Sequence, residues 1–466
     1  MGVGVSQWAL AKAVARTGNL GVVSGTAIAH VLALRMQRGD ADGHLRRALA
    51  HFPVPRIAER ILADHLREGS DVRPAAIPMY TQETSRELVE LTVVANFVEV
   101  FLAKEGHAGP VGINLLEKIQ LPTLPSLYGA MLAGVDYVLM GAGIPREIPA
   151  ILDRLAQNQE VDFKLNVEDA DPHDDFRVRF CPSELVGPDA APLRRPVFLA
   201  IIASDVLATT LARKSHGKVD GFIVEGPLAG GHNAQPRGAL QLNDRGEPVY
   251  GPRDVVDLAK LRALGLPFWL AGAYGTAEKL REALALGAQG VQVGTAFAFC
   301  RESGFPEETK RLLLEKSRRG EGSVLTSALA SPTGFPFKIV AWEGSMSDEA
   351  EYRARPRVCN LGYLRRPYKR PDGALGYRCP GEPQAAYVKK GGGIEATAGR
   401  MCLCNGLLSA IGLPFTQKSD WLERPLITSG DDFTELSRLL SGGKTAYSAA
   451  DVIESLLGAQ RSQLQS

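Results

Sequence analysis

The fold is decided by FLAIIASDVLATTLARKSHGKVDGFIVEG, residues Phe198–Gly226. Its first and last runs are apolar at nearly every position and rich in Ile, Val and Phe. That is the signature of a strand covered on both faces, because a half-exposed strand would alternate with polar residues. Between them, DVLATTLARKSHG has helical spacing. Two such strands joined by a helix make a right-handed parallel crossover unit.

The same rhythm extends in both directions. Further runs of this kind are LGVVSG (Leu20–Gly25), VGINLL (Val111–Leu116), YVLMGAG (Tyr137–Gly143), FWLAGA (Phe268–Ala273) and GVQVGT (Gly290–Thr295). Helix-like segments such as SRELVELTVVANFVEVFLAKEG and AEKLREALALGA separate them. Strand and helix in alternation predict an α/β fold, a (β/α)8 TIM barrel. Seven strands are visible, and the missing one should precede SQWALAKAVARTG, a first helix with Ser6 as N-cap. Only five residues stand before that cap, so the expectation is that the start codon is set too late and that Met1–Gly4 is the loop after an untranslated strand.

The barrel is expected over residues 1–325, with a mostly helical insertion at about 26–109. VDFKLNVEDADPHDDFRVRF (Val161–Phe180) reads as a hairpin and loop running on to Pro196. From Thr326 the rhythm ends. Residues 326–466 read as a smaller C-terminal extension with clustered cysteines and terminal helices, ending in a frayed QRSQLQS.

Composition narrows the function. Lys plus Arg number 53 against 52 Asp plus Glu, so the chain lacks the basic footprint of a phosphate-backbone binder. It shows neither a membrane-spanning apolar run nor a secretory leader, and the cytosol is the expected compartment. MGVGVS fits the loose myristoylation pattern, but its glycines have a better use in a loop at the reactive face. Small-molecule chemistry remains, with a homo-oligomer left open.

In barrels of this kind, phosphate groups sit on the loops after the seventh and eighth strands. Those loops read AGAYGT (Ala271–Thr276) and VGTAF (Val293–Phe297). Gly272, Ala273 and Gly275 would let backbone N–H groups approach a phosphate, while Gly294 and Thr295 open a helix whose N-terminus favours an anion. After the sixth strand comes VEGPLAGGHNAQPRG (Val224–Gly238). Gly230 and Gly231 let the backbone turn sharply beside a ligand, which leaves His232 as the first side chain able to enter the pocket. An imidazole there can accept a carbon-bound proton or hold an anion. Glu225 reads as a loop-capping acid. His30, His44, His51, His65, His107, His173 and His216 read as surface or packing residues.

Cys359, Cys379, Cys402 and Cys404 fall as C-x19-C-x22-C-x-C in one glycine-rich stretch. Four thiolates suffice for a structural zinc or an iron–sulfur cluster; four buried thiols would serve as small apolar residues instead. Cys181 and Cys300 stand alone.

LGVVSG, PVGINLL, VEGPLAGGH, LAGAYGT and ALGAQGVQVGT, in this order from about Gly2 to Cys300, resemble the nitronate monooxygenase family, which includes FMN-dependent enoyl reductases. The resemblance implies bound FMN, with its phosphate on Gly272–Ala273 and Gly294–Thr295 and with Gln292 near the flavin or phosphate. Gly2 and Val3 would line the ring, Asn114 would face the substrate side, and His232 matches the catalytic histidine. Ala273 stands where the family usually has glycine, and NAQPRG is longer than the usual turn. The expected activity is oxidation of alkyl nitronates by O2. The alternatives are an NAD(P)H-dependent enoyl reductase of fatty-acid or polyketide synthesis, whose extensions would dock partners, and a flavin-binding scaffold without turnover. The chain has no G-x-G-x-x-G motif, and barrels of this family bind nicotinamide without one.

Overall fold

The computed structural model describes residues 2–66, 77–414 and 421–464. Seven parallel strands form the central sheet: β1 (Gly21–Ser24), β2 (Val111–Leu116), β3 (Tyr137–Gly141), β4 (Val197–Ile202), β5 (Gly221–Glu225), β6 (Phe268–Ala271) and β7 (Gly290–Gln292). They pair in chain order, each with the next. All seven coincide with the apolar runs read from the sequence.

Alternation along the strands divides the core in two. Leu139, Leu199, Ile223 and Ala271 pack on one face with Val22, Ile201 and Trp269. Side chains of β1 thus share a cluster with those of β6, which requires the sheet to curl into a barrel wall. The intervening residues, among them Ile113, Val138, Phe198, Phe222 and Phe268, face outward into the main core with the helices.

The barrel stays open between β7 and β1, and among the described residues no strand precedes β1. The N-terminal segment runs along that opening instead. Ser24 N–H donates to the Ser6 carbonyl at 2.8 Å, and Gly304 N–H to the Val5 carbonyl at 2.8 Å. Ser6 does not cap the first helix. Gln7 holds the N-cap position of Trp8–Ala15, and Ser6 Oγ donates to the Val22 carbonyl at 2.6 Å. The hydroxyl satisfies an edge-strand acceptor that no eighth strand covers.

Four helices, Ile28–Gln37, His44–Ala50, Pro55–His65 and Arg86–Lys104, fill the first insertion. Val161–Lys164 and Arg177–Phe180 pair antiparallel, as the sequence suggested. Beyond β7, β8 (Val324–Ser327) and β9 (Phe337–Val340) form a hairpin, and Arg366–Lys369 pairs with Leu375–Arg378. This C-terminal part joins the main core through Val340, Leu408, Phe433 and Tyr447. The last helix continues to Leu464, so most of QRSQLQS is helical; Gln465 and Ser466 lie outside the described residues. Among the described residues, no helix is long and apolar enough to cross a membrane.

Candidate functional site

The C-terminal ends of the strands surround a cavity of about 540 Å³. Every residue singled out for a flavin site lines it: Gly2, Val3, Asn114, Gly230, Gly231, His232, Gly272, Ala273, Gln292, Gly294 and Thr295. Residues separated by almost 300 positions meet here because most of them follow or end a strand of one parallel sheet, while Gly2 and Val3 lie in the N-terminal segment along its opening.

The loop after β5 is clamped on both sides. Gly231 N–H donates to Thr428 Oγ1 at 2.9 Å. Lys338 N–H donates to the Gly231 carbonyl and Asn233 N–H to the Pro336 carbonyl, both at 2.9 Å. Gly231 has φ +86°, a left-handed conformation that glycine adopts without strain. At Gly230 a Cβ would stand 2.8 Å from Gly430 N, so only glycine lets the two segments touch. The imidazole of His232 is thereby fixed, with Nε2 2.6 Å from Ser331 Oγ and its ring edge-to-face with Phe337 at 4.8 Å. Ser331 Oγ lies 2.8 Å from Thr333 Oγ1. Burial, helped by the positive charge of Lys118, pushes the His232 pKa down to about 3. The ring is therefore neutral near pH 7.

Next to this loop stand the two glycine turns. Gly272 has φ +97°, and a Cβ there would come within 3.2 Å of Ala229 N. Ala273, at φ +57°, keeps the left-handed turn although it bears a side chain. Ala27 and Ala142, after β1 and β3, do the same and also line the cavity. Strained backbone thus recurs around the cavity. The helix opened by Thr295 is only Thr295–Ala298, too short to contribute the anion-favouring dipole expected from the sequence. Thr295 Oγ1 instead accepts from Gly430 N–H at 3.1 Å. Arg438 donates to the Gly275 carbonyl, and its Nε and Nη1 are buried without partners. Asn233 Oδ1, Ser429 Oγ, Asp432 Oδ1 and Lys118 Nζ, all on cavity-lining residues, are also buried without hydrogen-bond partners. Burial raises the Asp432 pKa above the ordinary carboxyl value.

Several lining residues escaped the sequence reading or, like Glu225, were given no site role in it. Lys118 follows β2, in a loop on the reactive face, and that position was the signal available. Glu225 ends β5, and burial raises its carboxyl to about 7. Tyr363, Phe335, Phe337 and Asp432 come from beyond Thr326, where nothing in the pattern marked them. His30 is 1% exposed, a packing residue as expected, yet its Nδ1 lies 2.7 Å from Tyr363 Oη on the cavity wall.

The cysteine expectation is corrected. Among the described residues no group of three or more His, Cys, Asp or Glu is arranged to hold a metal ion. Cys359, Cys379, Cys402 and Cys404 are free, and Cys404 alone of the four lines the cavity. Desolvation raises all four thiol pKa values, and neighbouring thiols add to the rise at Cys379, Cys402 and Cys404. They stay neutral and pack as small apolar residues.

Comparison with known proteins identifies part of this architecture. Residues 191–330 match the family profile described as nitronate monooxygenase. A probable nitronate monooxygenase of Bacillus subtilis is 38% identical over 97 residues, 21% of this chain and 26% of that protein. The (3aS,4S,5R,7aS)-5-hydroxy-7a-methyl-1-oxo-octahydro-1H-indene-4-carboxyl-CoA dehydrogenase of Mycobacterium tuberculosis is 29% identical over 171 residues, 36% of this chain and 43% of that protein. The chain thus spans less than half the length of these curated relatives. The structure of a nitroalkane oxidase from Streptomyces ansochromogenes aligns with a TM-score of 0.47 at 15% identity, covering 100% of this chain and 96% of that chain.

Proposed function

We propose, from the match of residues 191–330 to the nitronate monooxygenase family profile, that the protein is an FMN-dependent oxidoreductase that oxidises alkyl nitronates with O2. One observation carries the reading: the cavity joins both glycine turns to His232 within about 540 Å³, a volume in the range of cofactor sites. The residues fit the cofactor. Unpartnered donors of Arg438 lie beside the Gly272–Gly275 turn, where the phosphate would be held with Gly294 and Thr295. Asp432 stands beside the same turn, and burial raises its carboxyl pKa above the ordinary value. Gln292 would contact the flavin or phosphate, Gly2 and Val3 the ring, and Asn114 the substrate side. Bound FMN would accept an electron pair from the substrate and pass it to O2.

Two roles were open for His232, positioning the substrate or deprotonating a neutral nitroalkane. A pKa near 3 favours the first, since so weak a base removes a carbon-bound proton poorly. The substrate then arrives already deprotonated, as the nitronate, and His232 orients it by hydrogen bonding.

The loop between β5 and the next helix supports a second reading. It places Arg237, Tyr250 and Asp254 on the cavity wall and leaves Leu240, Leu242, Val249 and Val255 exposed. An apolar rim suits an acyl chain, which favours an NAD(P)H-dependent enoyl-thioester reductase. The test begins with the flavin spectrum of the purified protein. Oxygen uptake with nitronate in the absence of nicotinamide supports the first reading. NAD(P)H consumption with an enoyl-CoA alone transfers the assignment. A flavoprotein silent in both assays is the scaffold, and folded protein that refuses FMN ends all three.

A further inference from the structure

We propose that Lys118 is the specificity-determining cation of this cavity and holds the oxygen-centred negative charge of the substrate. The inference rests on the flavin-site reading above and adds a residue to it. Lys118 sits two residues past the end of β2 and lines the cavity with Leu116 and Asn114. Its Nζ is buried and has no hydrogen-bond partner. The ammonium lies 3.5 Å from the centroid of the Phe335 ring, on the same cavity wall as His232.

An ammonium withdrawn from water without an anion is costly, and a ring face offsets only part of that cost. A Met or Leu of similar length would fill the space without penalty. The arrangement makes sense when a ligand brings the missing charge. The charged and titratable groups that act on Lys118 are Glu117, which raises its pKa, and Arg366, which lowers it; Lys118 in turn lowers that of His232. Desolvation outweighs them and brings Lys118 to about 8. Roughly nine-tenths of it is still charged at pH 7. Glu225 shares the cavity but does not pair with Lys118 Nζ.

Two substrates present the required charge. A nitronate carries it on its oxygens from the start, whereas an enoyl thioester develops it on the carbonyl oxygen only as electrons arrive. Lys118→Met separates them. It raises KM for a nitronate, because ground-state binding is lost, but lowers kcat for an enoyl thioester, where the contact forms in the transition state.

Nitrate, a planar oxyanion, serves as the direct probe. Its binding is measured by calorimetry on the protein as purified and by perturbation of the flavin spectrum. The wild type should bind nitrate with affinity that declines above about pH 8. Lys118→Met should lose about tenfold or more of that affinity and its pH dependence, while Lys118→Arg keeps most of the affinity. Flavin content should stay unchanged, and Lys118→Gln repeats the test should the Met variant fold poorly. Equal nitrate affinity in wild type and both neutral variants overturns the role of Lys118, as does a wild type that does not bind nitrate. Nitrate binding lost on substitution in a protein without FMN leaves Lys118 in place and removes the flavin reading instead.

Discussion

His232 Nε2 and Ser331 Oγ lie 2.6 Å apart, although 99 residues separate them in the chain. The serine is fully buried and stands one residue beyond the segment that matches the family profile. The imidazole is therefore aimed by a part of the chain outside the recognisable core. Ser331→Ala should keep the flavin yet lower turnover by about tenfold, since an unanchored ring samples unproductive orientations. His232→Ala, which removes the group that orients the substrate, should cost about two orders of magnitude. Steady-state kinetics beside the flavin spectrum decide this, and an unimpaired Ser331→Ala contradicts it.

Acid stability follows from three desolvated groups with opposite signs, His30 buried and His232 and Glu225 half-buried. Burial holds His232 near 3 and His30 near 4, so as pH falls below 6.5 the unfolded chain takes up protons that the native chain refuses. Stability drops through that window. Glu225 titrates near 7 when folded and near 4.5 when unfolded, so between those values acidification favours the native state. Glu225→Gln removes this counterweight. Its denaturation midpoint should decline more steeply than that of the wild type from pH 7 to 4.5; parallel curves would refute the assignment.

Ala142 and Ala273 occupy left-handed turns where a Cβ is unfavourable. Ala142→Gly and Ala273→Gly should each stabilise the fold by about 0.5–1 kcal/mol, the relief of strain exceeding the added freedom of the unfolded chain. Urea denaturation measures this directly. A loss of stability would show that the methyl groups pack more usefully than the turns suggest.

The four C-terminal cysteines are neutral thiols in packed surroundings. A strong chelator should leave the melting temperature and flavin content unchanged, and metal analysis should find no stoichiometric zinc or iron. A chelator-induced drop in melting temperature would reinstate a metal.

The strands were legible because a strand covered on both faces must be apolar throughout, and GFIVEG and FLAIIAS meet that demand without ambiguity. The cavity was legible to the extent that glycines and a histidine followed such strands. Three things were hidden. Ser6 looked like a cap because serine before a helix usually is one, but an uncovered strand edge competed for its hydroxyl and prevailed. The cysteines offered a ligand count without geometry, and burial made them neutral. Phe337 and Asp432 reach the cavity, and Ser331 reaches His232, only through the packing of the C-terminal part on the barrel, and no local pattern encodes that tertiary contact.

Thr428 and Gly430 hold the wall together at both ends, one binding Gly231 and the other Thr295. During synthesis, the barrel strands leave the ribosome more than a hundred residues before these two clasps do. If the cavity holds the proposed flavin, its capture becomes a late step in maturation, and a chain cut short before Thr428 should possess all seven strands of the sheet and still fail to retain the flavin.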